Sequence, residues 1–179
     1  MAEPLRPAPA KVYTRENWIF IPTIASATLA PTVAEATAAS ALDVTNIVFN
    51  DAKPNPEQNT NLVEQNRRLG DAALYQFVGT TTYTGGQVTM AFDSQGAALG
   101  DAVKAWEKFA AGGVVGFMAR RLNVPKATAI AAGQFLHVYP CEFGPFSPTT
   151  SGENEGAEEA MTGSWAITSA PKFKLAVLA

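Results

Sequence analysis

The sequence is poor in the residues on which chemistry most often depends. It has one cysteine, Cys141, and one histidine, His137. A lone cysteine excludes a disulfide within the chain and any metal site built from several cysteines. A lone histidine means that any Ser-His-Asp or Cys-His arrangement would have to run through His137. Charge is scarce as well, at 16% of residues, against about 25% in an average soluble domain. Thirteen basic and 16 acidic side chains leave a net charge of −3. That excludes a strongly basic nucleic-acid binder, which needs a cationic face for the phosphates. No run approaches the roughly 18 consecutive apolar residues of a membrane span. The first dozen residues are interrupted by Glu3, Arg6 and Lys11 and do not read as a signal peptide. Expression and use in a cytoplasm, or assembly there into something larger, is the expectation.

What is present is apolar. Hydrophobic residues make up 47% of a 179-residue chain, enough for one domain with its own core. Low charge with high apolar content is the opposite of a disordered composition. It points to surface that is covered by partners.

Read along the chain, Pro4, Pro7 and Pro9 mark residues 1–11 as an extended arm, because proline fixes φ and lacks an amide donor. Trp18-Ile19-Phe20-Ile21, stopped by Pro22, reads as a first strand. Thr32 with Glu35 three positions later forms a capping box, opening a short helical stretch towards Ala41. Val44–Phe49 reads as a second strand. Residues 51–68, polar and holding Pro54 and Pro56, read as a long loop. Ala73–Val78 and Gln87–Phe92 read as a hairpin through Gly85-Gly86, the second run alternating with a period of two. The clearest helix is expected over about 98–111, with Leu99, Val103, Trp106 and Phe109 as its core contacts and Gly112-Gly113 as its stop. Strands follow at Val114–Arg121, Phe135–Phe143 and Lys172–Leu178, the last paired with residues 160–169. Residues 144–159 form a second long loop. Strands dominate and do not alternate with helices. The expected fold is therefore mainly β, a two-sheet antiparallel sandwich or barrel with one flanking helix. It occupies residues 12–179 as a single domain behind the arm.

No residue pattern carries a reaction. Gly112 to Gly116 lacks the lysine and the following helix of a phosphate loop. Ser169-Ala170-Pro171-Lys172 has the spacing of a Ser-x-x-Lys pair, but Pro171 breaks the helix that pair requires. His137 has no carboxylate pair or second ligand beside it. Cys141, four residues on, would lie roughly 13 Å away along a strand, too far for a dyad, and reads as a small buried hydrophobe. Glu153, Glu155, Glu158 and Glu159 crowd one segment without the Asp-x-Asp/Asn-x-Asp-Gly series of a calcium loop. They read as a solvated acidic loop. Arg67-Arg68 and Arg120-Arg121 are basic pairs suited to carboxylates across a contact. No catalytic residue, cofactor or metal is expected. The parts on hand are an arm, long loops and sheet edges, which are the means by which a chain holds neighbouring copies.

Several segments, taken in order, resemble the major tail (tail tube) proteins of long-tailed bacteriophages. They are Trp18 to Ile24 with Ala30 to Glu35; Arg68 to Ala72 with Gly79, Tyr83, Val88 and Phe92-Asp93; Ala102 to Gly113 with Gly116 to Arg121; and Thr162 to Trp165 with Pro171 and a terminal strand. The resemblance implies a non-enzymatic virion protein. Six copies would form a ring, four strands of each would line an inner barrel, and rings would stack into the tube that delivers the genome. Its implied partners are further copies of itself, the tape-measure protein in the lumen, and the tail terminator and tail-tip proteins. DNA would pass without specific binding, there would be no membrane anchor, and assembly would take place in the host cytoplasm. The four glutamates become candidate acidic residues of the lumen or of an outer loop. Two other readings stay open at this point. One is a tail terminator, tail-completion or head-decoration protein, and the other is a monomeric ligand-binding β-barrel.

Overall fold

The run Trp18–Ile21 is apolar at every position, which suits a strand buried on both faces rather than on one. The computed structural model, which describes residues 14–70, 72–96, 100–153 and 155–179, places it in β1 (Glu16–Ile21). The remaining elements are α1 (Val33–Ala36), β2 (Leu42–Asp43), β3 (Glu57–Glu64), β4 (Gln76–Thr84), β5 (Gly86–Ala91), α2 (Asp101–Phe109), β6 (Val114–Leu122), β7 (Phe135–Phe143), β8 (Ser147–Thr150), β9 (Glu159–Ile167) and β10 (Lys172–Ala176). The expected arm, residues 1–11, lies outside the described residues.

Eight strands form one antiparallel sheet in the order β2-β1-β6-β7-β9-β5, with β10 also paired to β7 and β8 also paired to β9. β3 and β4 pair only with each other among the described strands and make a separate two-stranded sheet. The protein is therefore mainly β, as its sequence implies, and its large curled sheet carries an apolar cluster on each face. Trp18 and Phe20 of β1, Met118 of β6, Cys141 and Phe143 of β7, Met90 of β5 and Trp165 of β9 meet in a single cluster. Alternate residues of the same strands face the other way. Ile19, Ile21, Ala119, Leu136 and Val138 form a second cluster with Ile24, Ala36 and Val177. This is the period-two alternation of strands applied to a sheet covered on both faces.

Each face is covered by a local device. On the first, α2 lays Ala105 and Phe109 into the core. Phe109 packs edge-on to Phe20 at 5.2 Å between ring centroids, and stacks on Phe146 at 5.5 Å. On the second, α1 is held by a complete capping box. Thr32 Oγ1 accepts from the Glu35 amide at 3.1 Å, and Glu35 Oε2 accepts from the Thr32 amide at 2.8 Å. The Val33 amide donates to the Leu178 carbonyl at 3.0 Å, which closes the end of the chain over this face.

Several expectations are corrected. The helix spans Asp101–Phe109 rather than 98–111. Gly100 is extended at the N-cap (φ −67°, ψ 144°) and Gly112 is left-handed (φ 71°) after the last turn. Of its four expected core contacts, Phe109 is fully buried and Trp106 packs on Phe92 at 4.6 Å. Val103 is half-buried and outside the core cluster, where Ala105 stands instead, and Leu99 lies outside the described residues. The strand expected at Val44–Phe49 is a turn after a two-residue strand. The Asp43 carboxylate accepts from the Thr45 amide at 2.9 Å and bends the chain, while Val44 and Ile47 remain buried. Their apolar pattern reports burial, which a turn can satisfy as well as a strand.

Pairing differs more. β4 and β5 are not a hairpin, because only Gly85 separates them. β4 returns to β3 and β5 goes to β9. The loop expected over 51–68 contains β3, a strand exposed at all but one position, whose apolar residues, Leu62 and Val63, are adjacent instead of alternating. The loop over 144–159 contains the exposed β8. β10 pairs with β7 and not with residues 160–169. Alternation identifies a strand and its faces, but it does not name the neighbour.

Candidate assembly surface

The residues with conventional chemistry are spent inside the fold. His137 is half-buried, and its Nδ1 accepts from the Lys174 amide at 3.3 Å. Burial and the nearby Arg120 charge both push its pKa down. Cys141 is fully buried, and burial lifts its thiol to about 12. Both lie on one face of β7, as their even spacing requires, with Cys141 in the core. Among the described residues no three His, Cys, Asp or Glu side chains gather closely enough to hold a metal ion.

The basic pair on β6 divides by face. Arg120 Nε donates to Glu16 at 2.8 Å, Lys53 Nζ reaches the other oxygen of the same carboxylate at 2.7 Å, and Arg120 lies over the Trp18 ring. Burial alone would raise the Glu16 pKa. The Lys53 hydrogen bond and the two positive charges outweigh it and hold the carboxyl below its ordinary value. Arg121, 2% exposed, faces the other way and meets carbonyl oxygens rather than a carboxylate. It donates to Thr128 O, Ala129 O and Gln134 Oε1. It therefore fastens the loop between β6 and β7 instead of a partner.

The four glutamates do not act as one group. Ser151 and Glu158 exchange two hydrogen bonds, amide to carbonyl at 2.9 Å and amide to hydroxyl at 2.8 Å. These close the neck of a turn on which Glu153, Glu155 and Glu158 are exposed. Glu159 is the first residue of β9. It accepts from the amide and the hydroxyl of Ser94 at 3.0 and 3.1 Å, tying the segment before α2 to the sheet.

Among the described residues, the β3–β4 hairpin carries most of the exposed large apolar side chains. A two-stranded sheet is marginal in water unless something packs on it. Yet this one carries Leu62 (56% exposed), Val63 (47%), Phe77 (55%) and Val78 (75%), with Leu69, Leu74 and Tyr75 exposed between its strands. Leu62 pairs across with Val78 and Val63 with Phe77. Neighbouring residues point to opposite faces, so each face carries one apolar pair. The register slips after Thr60, and Gly79 makes the slip possible. A Cβ there would stand 2.8 Å from Val63 Cγ2 and 3.0 Å from the Asn61 carbonyl. Paired apolar side chains exposed on both faces of an element that no other described element covers suit a surface taken up by a partner better than the single scattered residues of an ordinary surface. The sequence signal was available in the adjacent pairs Leu62-Val63 and Phe77-Val78. Two consecutive apolar residues in an otherwise polar strand leave one on each face.

The sequence matches the family described as phage tail tube protein over residues 9–179. No curated protein matches the chain. Among solved structures, a chain in the cryo-EM structure of the anti-feeding prophage baseplate, six-fold symmetrised, superposes with a TM-score of 0.45 at 7% identity, over 96% of each chain.

Proposed function

The chain belongs to the phage tail tube protein family, and we propose that it closes into six-membered rings that stack as the tube through which the genome leaves. As a member of that family it is a structural protein of the virion tail. What supports stacking is the β3–β4 hairpin, whose apolar side chains are left uncovered among the described residues. We assign it to the contact between successive rings, together with the arm at residues 1–11 and the turn between β8 and β9. The tape-measure protein would occupy the lumen, and terminator and tail-tip proteins the two ends.

Charge supports passive passage of DNA. Six copies at −3 each carry −18 in a ring, and a wall of that sign repels a polyanion instead of binding it. Glu153, Glu155 and Glu158, exposed on a closed turn, are the candidates for that wall or for the outer surface. The fold uses its one histidine, its one cysteine and its buried arginine internally. The proposed role is mechanical, in keeping with a family of structural tail proteins.

Native mass spectrometry of lightly cross-linked protein tests the ring. Six copies of 18.9 kDa give about 113 kDa. A dominant species of that mass supports the proposal, and a ladder without preference for six, or a persistent monomer, rejects it.

A further inference from the structure

The one histidine of the chain closes an irregularity in the sheet. β10 pairs with β7 at Lys172–Val138 and again at Leu175–Leu136, so His137 alone stands opposite both Phe173 and Lys174. Two residues against one make a bulge, and a bulge leaves an amide outside the ladder. Lys174 carries that amide. Its backbone is left-handed at φ 54°, a conformation that costs a non-glycine residue roughly 1–3 kcal/mol and persists only where the surroundings enforce it. Here the amide donates to the imidazole, 3.3 Å from Nδ1. A side chain thus stands in for the missing carbonyl. The bond requires the neutral ring with its proton on Nε2, because an imidazolium has a donor at each nitrogen and no acceptor.

The groups around the ring oppose a second proton. Arg120 of β6 is its cross-strand partner, and Lys172 and Lys174 flank the bulge on β10. Glu16 of β1 is engaged by Arg120 and Lys53 together. Tyr139, next on the same face of β7, is kept uncharged by burial. Phe173 stands 5.8 Å from the imidazole between ring centroids. Burial and the Arg120 charge accordingly hold the ring below its ordinary pKa of 6.5. We propose that His137 is an acid-sensitive latch on the C-terminal strand, closed while Nδ1 accepts from the Lys174 amide and opened when Nδ1 takes a proton from water. The latch holds more than β10. Beyond it Val177 lies in the second core cluster and its amide donates to the Gln134 carbonyl at 2.8 Å, while the Leu178 carbonyl accepts from Val33 at the start of α1. Opening loosens the cover of that face and leaves the Phe135–Val138 edge of β7 without its neighbour, and an unpaired edge is a template for another strand. The folded ring binds a proton less readily than the released one. The latch therefore contributes fully above about pH 6.5 and weakens as pH falls through that value towards the folded pKa.

Hydrogen exchange of the unassembled full chain, corrected for the intrinsic effect of pH on amide exchange, tests the latch. Between about pH 7.5 and about pH 5.5 the β10 amides should lose at least about threefold in protection relative to those of β6. Glu16, held below 4.5, stays ionised over this range and does not contribute. His137→Gln keeps an acceptor and does not titrate, so the loss should vanish in it. In the parent protein, NMR should show the imidazole titrating below 6.5 and the Lys174 amide shifting with the same midpoint. If His137→Gln does not fold, these two midpoints decide. Protection of β10 that ignores pH, an equal loss in His137→Gln, an imidazole midpoint at or above 6.5, or a Lys174 amide with a different midpoint would each overturn the latch and leave the tube reading untouched.

Discussion

Phe77→Ala separates folding from assembly. Phe77 is 55% exposed on β4, opposite Val63. An aromatic side chain offers about 200 Å² in all, so about 110 Å² of Phe77 is open for a partner to cover. At about 25 cal/mol per Å² this is worth up to about 2.8 kcal/mol. Every 1.4 kcal/mol is tenfold in an equilibrium constant, so the threshold concentration for polymerisation should rise by up to about 100-fold. Within the subunit the substitution removes only a cross-strand pair, worth at most about 1 kcal/mol. Pelleting assays over a concentration series give the threshold, and urea unfolding of the unassembled protein gives the stability. A raised threshold with an almost unchanged unfolding midpoint is expected. A threshold unchanged within twofold would refute the hairpin's assignment, and a collapse of the midpoint would show that Phe77 supports the fold instead.

Phe109→Ala should show the opposite balance. Its ring is fully buried between Phe20, Phe143 and Phe146, and its loss should cost about 3–5 kcal/mol in urea unfolding. Thr32→Ala removes the cap of α1 and should cost about 1 kcal/mol in the same assay. Because Glu16 is held below its ordinary value of 4.5, the unfolded chain binds that proton more readily. Its contribution is complete above about pH 5 and fades as pH falls through the folded pKa. Glu16→Gln should lower the urea midpoint at neutral pH and flatten its fall below about pH 4.5. Equal slopes for the two proteins would rule out this carboxylate as a source of acid sensitivity. Cys141 should resist a disulfide reagent at pH 8 in the folded chain and react once urea unfolds it.

The sequence made the elements legible wherever one residue set answered one question. The Thr32–Glu35 box, the strand Phe135–Phe143 and the glycine stop at Gly112 are local chemistry, and the fold keeps all three. Pairing was not legible. Gln87–Phe92 alternates as a strand should, but nothing within it says that its neighbour is β9, some seventy residues later, rather than β4. β3 was hidden for a different reason. A strand exposed on both faces needs no apolar period, so Glu57–Glu64 looks like a loop. The candidate surface was half visible for the same cause, since Leu62-Val63 and Phe77-Val78 read as strays until the register pairs them. The acidic cluster, conspicuous in sequence, turned out to be three exposed side chains on a turn and one, Glu159, engaged with Ser94.

Negative-stain electron microscopy of the purified protein, at high and low concentration, addresses tube formation itself. Uniform hollow tubes whose end-on views average to six-fold symmetry are predicted, shortening to rings on dilution. Solid fibres, rings that never stack at any concentration, or end-on views of another symmetry would contradict it.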